Sequence, residues 1–228
     1  MQLKVSYDAT FDAENYLLAL YDRAHLKHGR NNFYEDLLNS IESDEVKSLF
    51  KEEQDREEIK NKLVAILNHG FKREEDVIAK KIDNLKSAWS EVGGQVEFKL
   101  SSIYQKPFPF DEVQIYLSTF SLCPYSYKEK YIYLSLKSNP QNQIRTLLHE
   151  LNHFMFYYYY SEVCKNLDKE NFELLKESLT LFTNPEQRGK PNEKPLRELY
   201  IKQYSLSLDE TVQIAIAFLM EQTLNIHN

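Results

Sequence analysis

One stretch restricts this chain more than any other: Asn139-Pro-Gln-Asn-Gln-Ile-Arg-Thr-Leu-Leu-His149-Glu150-Leu-Asn-His153-Phe-Met-Phe156. Asn139 suits an N-cap, and Pro140 fits the first helical position, where its missing N–H costs nothing. Advancing about 100° per residue gathers Ile144, Leu147, Leu148, Leu151, Phe154, Met155 and Tyr158 on one side. Asn142, Arg145, Thr146, His149, Glu150, His153 and Tyr157 fall on the other. The spacing therefore predicts an amphipathic helix that presents two imidazoles, one turn apart, to a common point. His-Glu-x-x-His on a helix is the pattern that binds zinc, with the glutamate beside the ion as a base.

Composition supports a helical setting. Glycine is scarce, at 5 in 228 residues, and 28% of residues are charged, which argues for a largely helical chain over a turn-rich β-sandwich. A net charge of −7 and the lack of any Lys/Arg run argue against a nucleic-acid binder. Two cysteines, Cys123 and Cys164, imply no disulfide framework. Neither an apolar signal core at Met1–Asp8 nor an 18-residue apolar run is found, so no membrane association is expected and the cytoplasm is the expected location. Oligomeric state is not legible.

Along the chain, Leu3, Val5 and Tyr7 alternate as in a short strand. Residues 11–92 read as four helices: Phe11–Leu26, Phe33–Ile41 with a possible extension to Phe50, Ile59–Leu67 stopped by Gly70, and Val77–Trp89 stopped by Gly93-Gly94. The period then changes. Val96, Phe98 and Leu100 alternate, as do Val113, Ile115 and Leu117, and then Tyr131 to Leu136, predicting three further strands. The glycine pair is the expected boundary between a helical N-terminal region (1–93) and a second domain (94–228). Beyond the motif, helices are expected over 168–182 and 195–204, and Ser207-Leu-Asp-Glu210 is a capping box opening a last one.

A catalytic zinc needs a third protein ligand and a position left for water. A histidine six residues after His153 would indicate metzincins, but Tyr159 stands there and Phe156 replaces the usual glycine. In Leu174-Leu-Lys-Glu177-Ser-Leu-Thr-Leu181, Glu177 shares a side with Leu174 and Leu181, and an inward acid requires a partner. Glu173, Glu170, Asp168 and His227 are the alternatives. Glu173 is rotated toward Lys169 and Lys176, the expected wetter side. With its strand, motif helix and Glu177 on the next helix, the segment 113–182 resembles the gluzincin group of zinc metallopeptidases. The resemblance implies an α+β, mostly helical fold with a zincin-like core: a small antiparallel or mixed sheet, the His-Glu-x-x-His helix and a glutamate helix. It implies Zn²⁺ held by His149, His153 and Glu177, with a peptide or protein substrate lying antiparallel to an edge strand, either Tyr131–Lys137 or Val113–Phe120. The residues after Glu177 depart from the pattern in lacking the aspartate that some members use as support.

On that resemblance Glu150 is the base that takes a proton from the zinc-bound water as it attacks a peptide carbonyl, then passes it to the leaving amine. Candidates for stabilising the oxyanion or holding substrate are Tyr200, Tyr204, Arg197 and Arg145. The alternative is a catalytically silent gluzincin-like domain that binds metal or a protein partner, and the N-terminal helices could serve as an inhibitory prosegment.

Overall fold

The computed structural model describes residues 1–22, 32–51, 55–186, 189–202 and 205–226. It is mostly helical with a small mixed sheet. No helix among the described residues is long and apolar enough to cross a membrane. The chain forms two compact units that interleave in sequence, instead of consecutive halves divided at Gly93-Gly94. One comprises Gln2–Glu91 and Glu112–Thr146; the other comprises Met1, Val92–Asp111 and Leu147–Asn228.

The first unit holds the sheet, with strands β1 (Gln2–Tyr7), β2 (Glu112–Ser118), β3 (Tyr125–Ser126) and β4 (Tyr131–Ser135) in the order β1-β2-β4-β3. β1 and β4 both run parallel to β2, with Leu3 opposite Val113 and Ile115 opposite Ile132, and β3 pairs antiparallel with β4. The expected substrate-binding strands are thus the two interior ones. β1 and β3 occupy the edges, because the N-terminal strand takes the free side of β2 and the turn before β4 folds back on it. Val113, Ile115, Leu117, Ile132 and Leu134 are fully buried, as befits strands paired on both sides.

Helices α1 (Ala9–Leu17, continued by a π-helical segment, Leu18–Asp22), α2 (Asn32–Asn39) and α3 (Asp44–Leu49) follow β1. Asp8 caps α1 by accepting from the Thr10 and Phe11 amides, and Ser43 caps α3. Leu17, Leu38, Ile41, Ile59, Leu63 and Phe120 share one core. Asp12, buried on α1, accepts from Ser118 Oγ at 2.6 Å, Thr119 Oγ1 at 2.8 Å and the Thr119 amide at 3.1 Å, tying α1 to the end of β2.

Where a third and a fourth helix and a strand at 96–100 were expected, one helix, α4, runs from Arg56 to Tyr104. Trp89, Val96, Leu100 and Tyr104 are buried at helical spacing while Phe98 is 75% exposed, so the apparent alternation belongs to a helical stripe. A glycine costs a helix only about 1 kcal/mol against alanine, so Gly70 and Gly93-Gly94 lower its stability without ending it. The one departure from helical angles is at Glu74 (φ −116°, ψ 16°).

The second unit is helical. The motif helix α5 spans Pro140–Tyr160, and its residues from Leu147 onward belong here. α6 (Lys169–Ser178), α7 (Thr180–Thr183), a 3₁₀ turn (Pro191–Glu193), α8 (Lys194–Lys202) and α9 (Leu208–Ile226) follow. Asp168 caps α6, and Ser207 and Glu210 form the reciprocal capping box of α9, with Glu210 Oε2 accepting from the Ser207 amide at 2.9 Å. α5 is less two-sided than its sequence suggests. Leu151, Phe154 and Met155 are buried, but so are Phe156, Tyr160, Asn152 and His153, while Tyr158 is 52% exposed. The aromatic residues of the second unit surround its C-terminal half, with Phe110 edge-on to Phe154 at 5.6 Å and Phe172 edge-on to Phe156 at 5.3 Å.

Candidate metal centre

His149 and Glu150 are adjacent on α5 with His153 one turn further on, and Glu177 sits near the end of α6. Their packing brings His149 Nε2 to 3.0 Å from His153 Nε2, Glu177 Oε1 to 3.5 Å from His153 Nε2, and Glu177 Oε2 to 3.8 Å from His149 Nε2. A tetrahedral zinc with bonds of about 2.0–2.1 Å holds its ligand atoms roughly 3.3–3.4 Å apart. The three separations bracket that value, so these side chains could hold a metal ion almost where they stand. The His153 side chain is 1% exposed, against 24% for His149 and 27% for Glu177, so the cluster is closed on the His153 side and open on the other.

The electrostatics fit the same group. Burial pushes both imidazoles below the ordinary histidine range, and His153 further, aided by the Lys176 ammonium and by His149. Neutral imidazoles are the form that binds a metal. Burial, reinforced by the Glu177 charge, pushes Glu150 up to about 8. Glu150 Oε2 is buried and accepts no hydrogen bond among the described residues. A buried acceptor without a donor is costly, and a water held at the open side of the cluster is the kind of donor that would satisfy it.

Lys176 is the participant that sequence reasoning missed. It is buried, not on a wet face, with its Nζ 2.6 Å from Glu173 Oε2 and 3.4 Å from Glu177 Oε1, and 5.7 Å over the Tyr157 ring. Burial alone would lower its pKa, but the hydrogen bond to Glu173 and the Glu177 charge outweigh that and hold it above the usual lysine range. Tyr157 donates to Glu173 Oε1 at 3.2 Å, so Glu173 is turned to the lysine and not to the histidines. A signal was present: Lys176 lies one turn from both Phe172 and Leu179, on the stripe that the helix buries.

The other candidates stand elsewhere. Asp168 is spent on capping α6, and Glu170 is exposed. Tyr200 is buried with its hydroxyl 2.9 Å from Ser178 Oγ. Arg197 is buried, donating from Nε to Glu193 Oε2 at 3.0 Å and from an Nη to Thr180 Oγ1 at 3.0 Å. Arg145 is exposed on the turn of α5 before His149. Tyr204 and His227 lie outside the described residues. No family, curated protein or solved structure matches this chain.

Proposed function

We propose that the protein is a zinc metallopeptidase of gluzincin type, cleaving peptide bonds in a peptide or protein substrate, with the α5–α6 pair as a zincin-like core. The observation that carries the reading is the convergence of His149, His153 and Glu177, with the buried Glu150 next to His149 in the chain. The three ligands would hold Zn²⁺, which supplies a Lewis acid and lowers the pKa of a water to about 7. Glu150 would accept a proton from a water held there and return it to the leaving amine. A buried carboxyl next to His149 in the chain, which a nearby dication would hold as the carboxylate, is placed for both steps. His149 and Glu177, on the more open side, face the incoming substrate, while buried His153 anchors the set.

One observation favours a second reading, a metal-binding domain without turnover. Two of the groups suited to stabilise an oxyanion, Tyr200 and Arg197, are engaged in internal bonds. Glu150→Gln separates the two readings. It preserves shape and removes the base, so zinc content should stay at the wild-type level while hydrolysis of a quenched fluorescent peptide library falls by about two orders of magnitude or more. Hydrolysis that survives the substitution would refute the peptidase mechanism.

A further inference from the structure

The first unit contains a cavity of about 410 Å³, none of whose lining residues belongs to the metal cluster. Its position follows from the sheet. β1, β2 and β4 are mutually parallel, and the cavity is lined by Tyr7 at the end of β1, Thr119 just past β2, and Leu136 just past β4. A crevice outside the carboxyl ends of parallel strands is where open α/β sheets bind their ligands. Its volume lies within the range of small-molecule sites, and its wall is mainly apolar with a few polar groups, as such sites are.

The facing wall is one stretch of α4. Ile66, Leu67, Phe71 and Ile78 line it, and Phe71 stacks on Tyr7 with centroids 5.1 Å apart. The break in helical angles at Glu74 falls within this stretch, between Phe71 and Ile78. The end of the cavity nearest the sheet is fixed by buried Asp12, which accepts hydrogen bonds from the hydroxyls of Tyr7 and Thr119. Those hydroxyls are therefore committed and do not serve as donors to a guest.

Charge then selects the guest. Lys137 is paired with Glu42 at 2.9 Å, and Glu74 is exposed to water. Lys81 is half-buried, and its ammonium donates to the Leu136 carbonyl, a neutral oxygen. An ammonium carries three donors, and among the described residues the Leu136 carbonyl takes one of them, which leaves the others for an anionic guest. We propose that this cavity binds a small amphipathic carboxylate, its anionic head on Lys81 and its apolar body against Ile66, Leu67, Phe71 and Ile78.

The test is titration calorimetry of the full chain with decanoate and with its neutral counterpart 1-decanol. Decanoate should bind saturably, one per chain. Lys81→Met should weaken decanoate by about tenfold or more, through loss of a charge-assisted contact, while shifting decanol by less than about threefold. Ile78→Trp, which takes up space along the apolar wall, should weaken both. Absence of saturable decanoate binding to the wild type overturns the proposal, as does a folded Lys81→Met protein that binds decanoate as the wild type does. Should Lys81→Met fail to fold, wild-type affinity for both probes in Ile78→Trp overturns it equally.

Discussion

His153 Nε2 and Glu177 Oε1 stand 3.5 Å apart, one near the middle of α5 and the other near the end of α6. That separation is too long for a strong hydrogen bond and suits two ligands sharing an ion. Nor is the pair a salt bridge in terms of charge. Burial holds His153 well below its ordinary pKa, so near neutral pH it is an uncharged imidazole facing a carboxylate. Such a pair, with His149 Nε2 3.0 Å from His153 Nε2, is a set of ligand atoms close enough together to share an ion.

The first expectation is stoichiometric. The purified chain should bind about one Zn²⁺, and His149→Ala, His153→Ala and Glu177→Ala should each lose most of it, read by elemental analysis after dialysis. His153→Ala should lose the most, because the buried histidine lacks water as a substitute ligand. Full occupancy in all three variants would end the metal assignment.

Zinc binding should also release a proton, and its source can be named. At pH 7 both histidines are already neutral, since burial lowers their pKa values, and they contribute little. Glu150, raised to about 8 in the metal-free protein, is mostly protonated at that pH. A nearby dication favours the carboxylate and expels the proton. Calorimetry in buffers of differing ionisation enthalpy should therefore find about one proton fewer released at pH 7 by Glu150→Gln than by the wild type. The same sign governs stability without metal. A carboxyl raised in the folded state stabilises at low pH, and that contribution is lost as pH rises through about 8, so Glu150→Gln should flatten the decline.

The convergence of His149, His153 and Glu177 was legible because its signal is local. Helical periodicity alone turns His149 and His153 to one side, and the apolar neighbours of Glu177 turn it inward. The long helix was not legible, because glycine is read as an interruption from propensity alone. Burial of Trp89, Val96, Leu100 and Tyr104 outweighs a cost of about 1 kcal/mol per glycine, and that burial is a tertiary fact. The sheet order was illegible for the same reason: nothing within β2 says that Gln2–Tyr7 will pair beside it. Lys176 was misplaced because a charge was read as a wet face, when Glu173, Glu177 and Tyr157 together make a buried ammonium tolerable.

Gly94 tests that account of the long helix. A Cβ added there meets no heavy atom within 4 Å. Gly94→Ala should therefore raise stability by about 0.5–1 kcal/mol, by reducing the freedom of the unfolded chain and favouring helix. Urea denaturation reads the change as a higher midpoint at constant slope. A destabilised variant would mean that the chain does interrupt its helix at the glycine pair.

The last prediction separates an architectural role for Arg197 from the oxyanion role that its residue type first suggested. Arg197 and Glu193 are an i,i+4 pair whose side chains are 10% and 5% exposed, with an Nη and Nε each 3.0 Å from Glu193 Oε2. The same guanidinium donates to Thr180 Oγ1, joining α8 to α7. Glu193→Ala deprives a buried guanidinium of its carboxylate, which costs about 3 kcal/mol or more, well above the roughly 0–1 kcal/mol of a surface pair. Zinc content should remain at the wild-type level, since neither residue is among the three converging ligands. If the pair instead held a catalytic arginine in reserve, Glu193→Ala would leave stability within about 1 kcal/mol of wild type and change turnover alone. Urea unfolding beside metal analysis distinguishes the two.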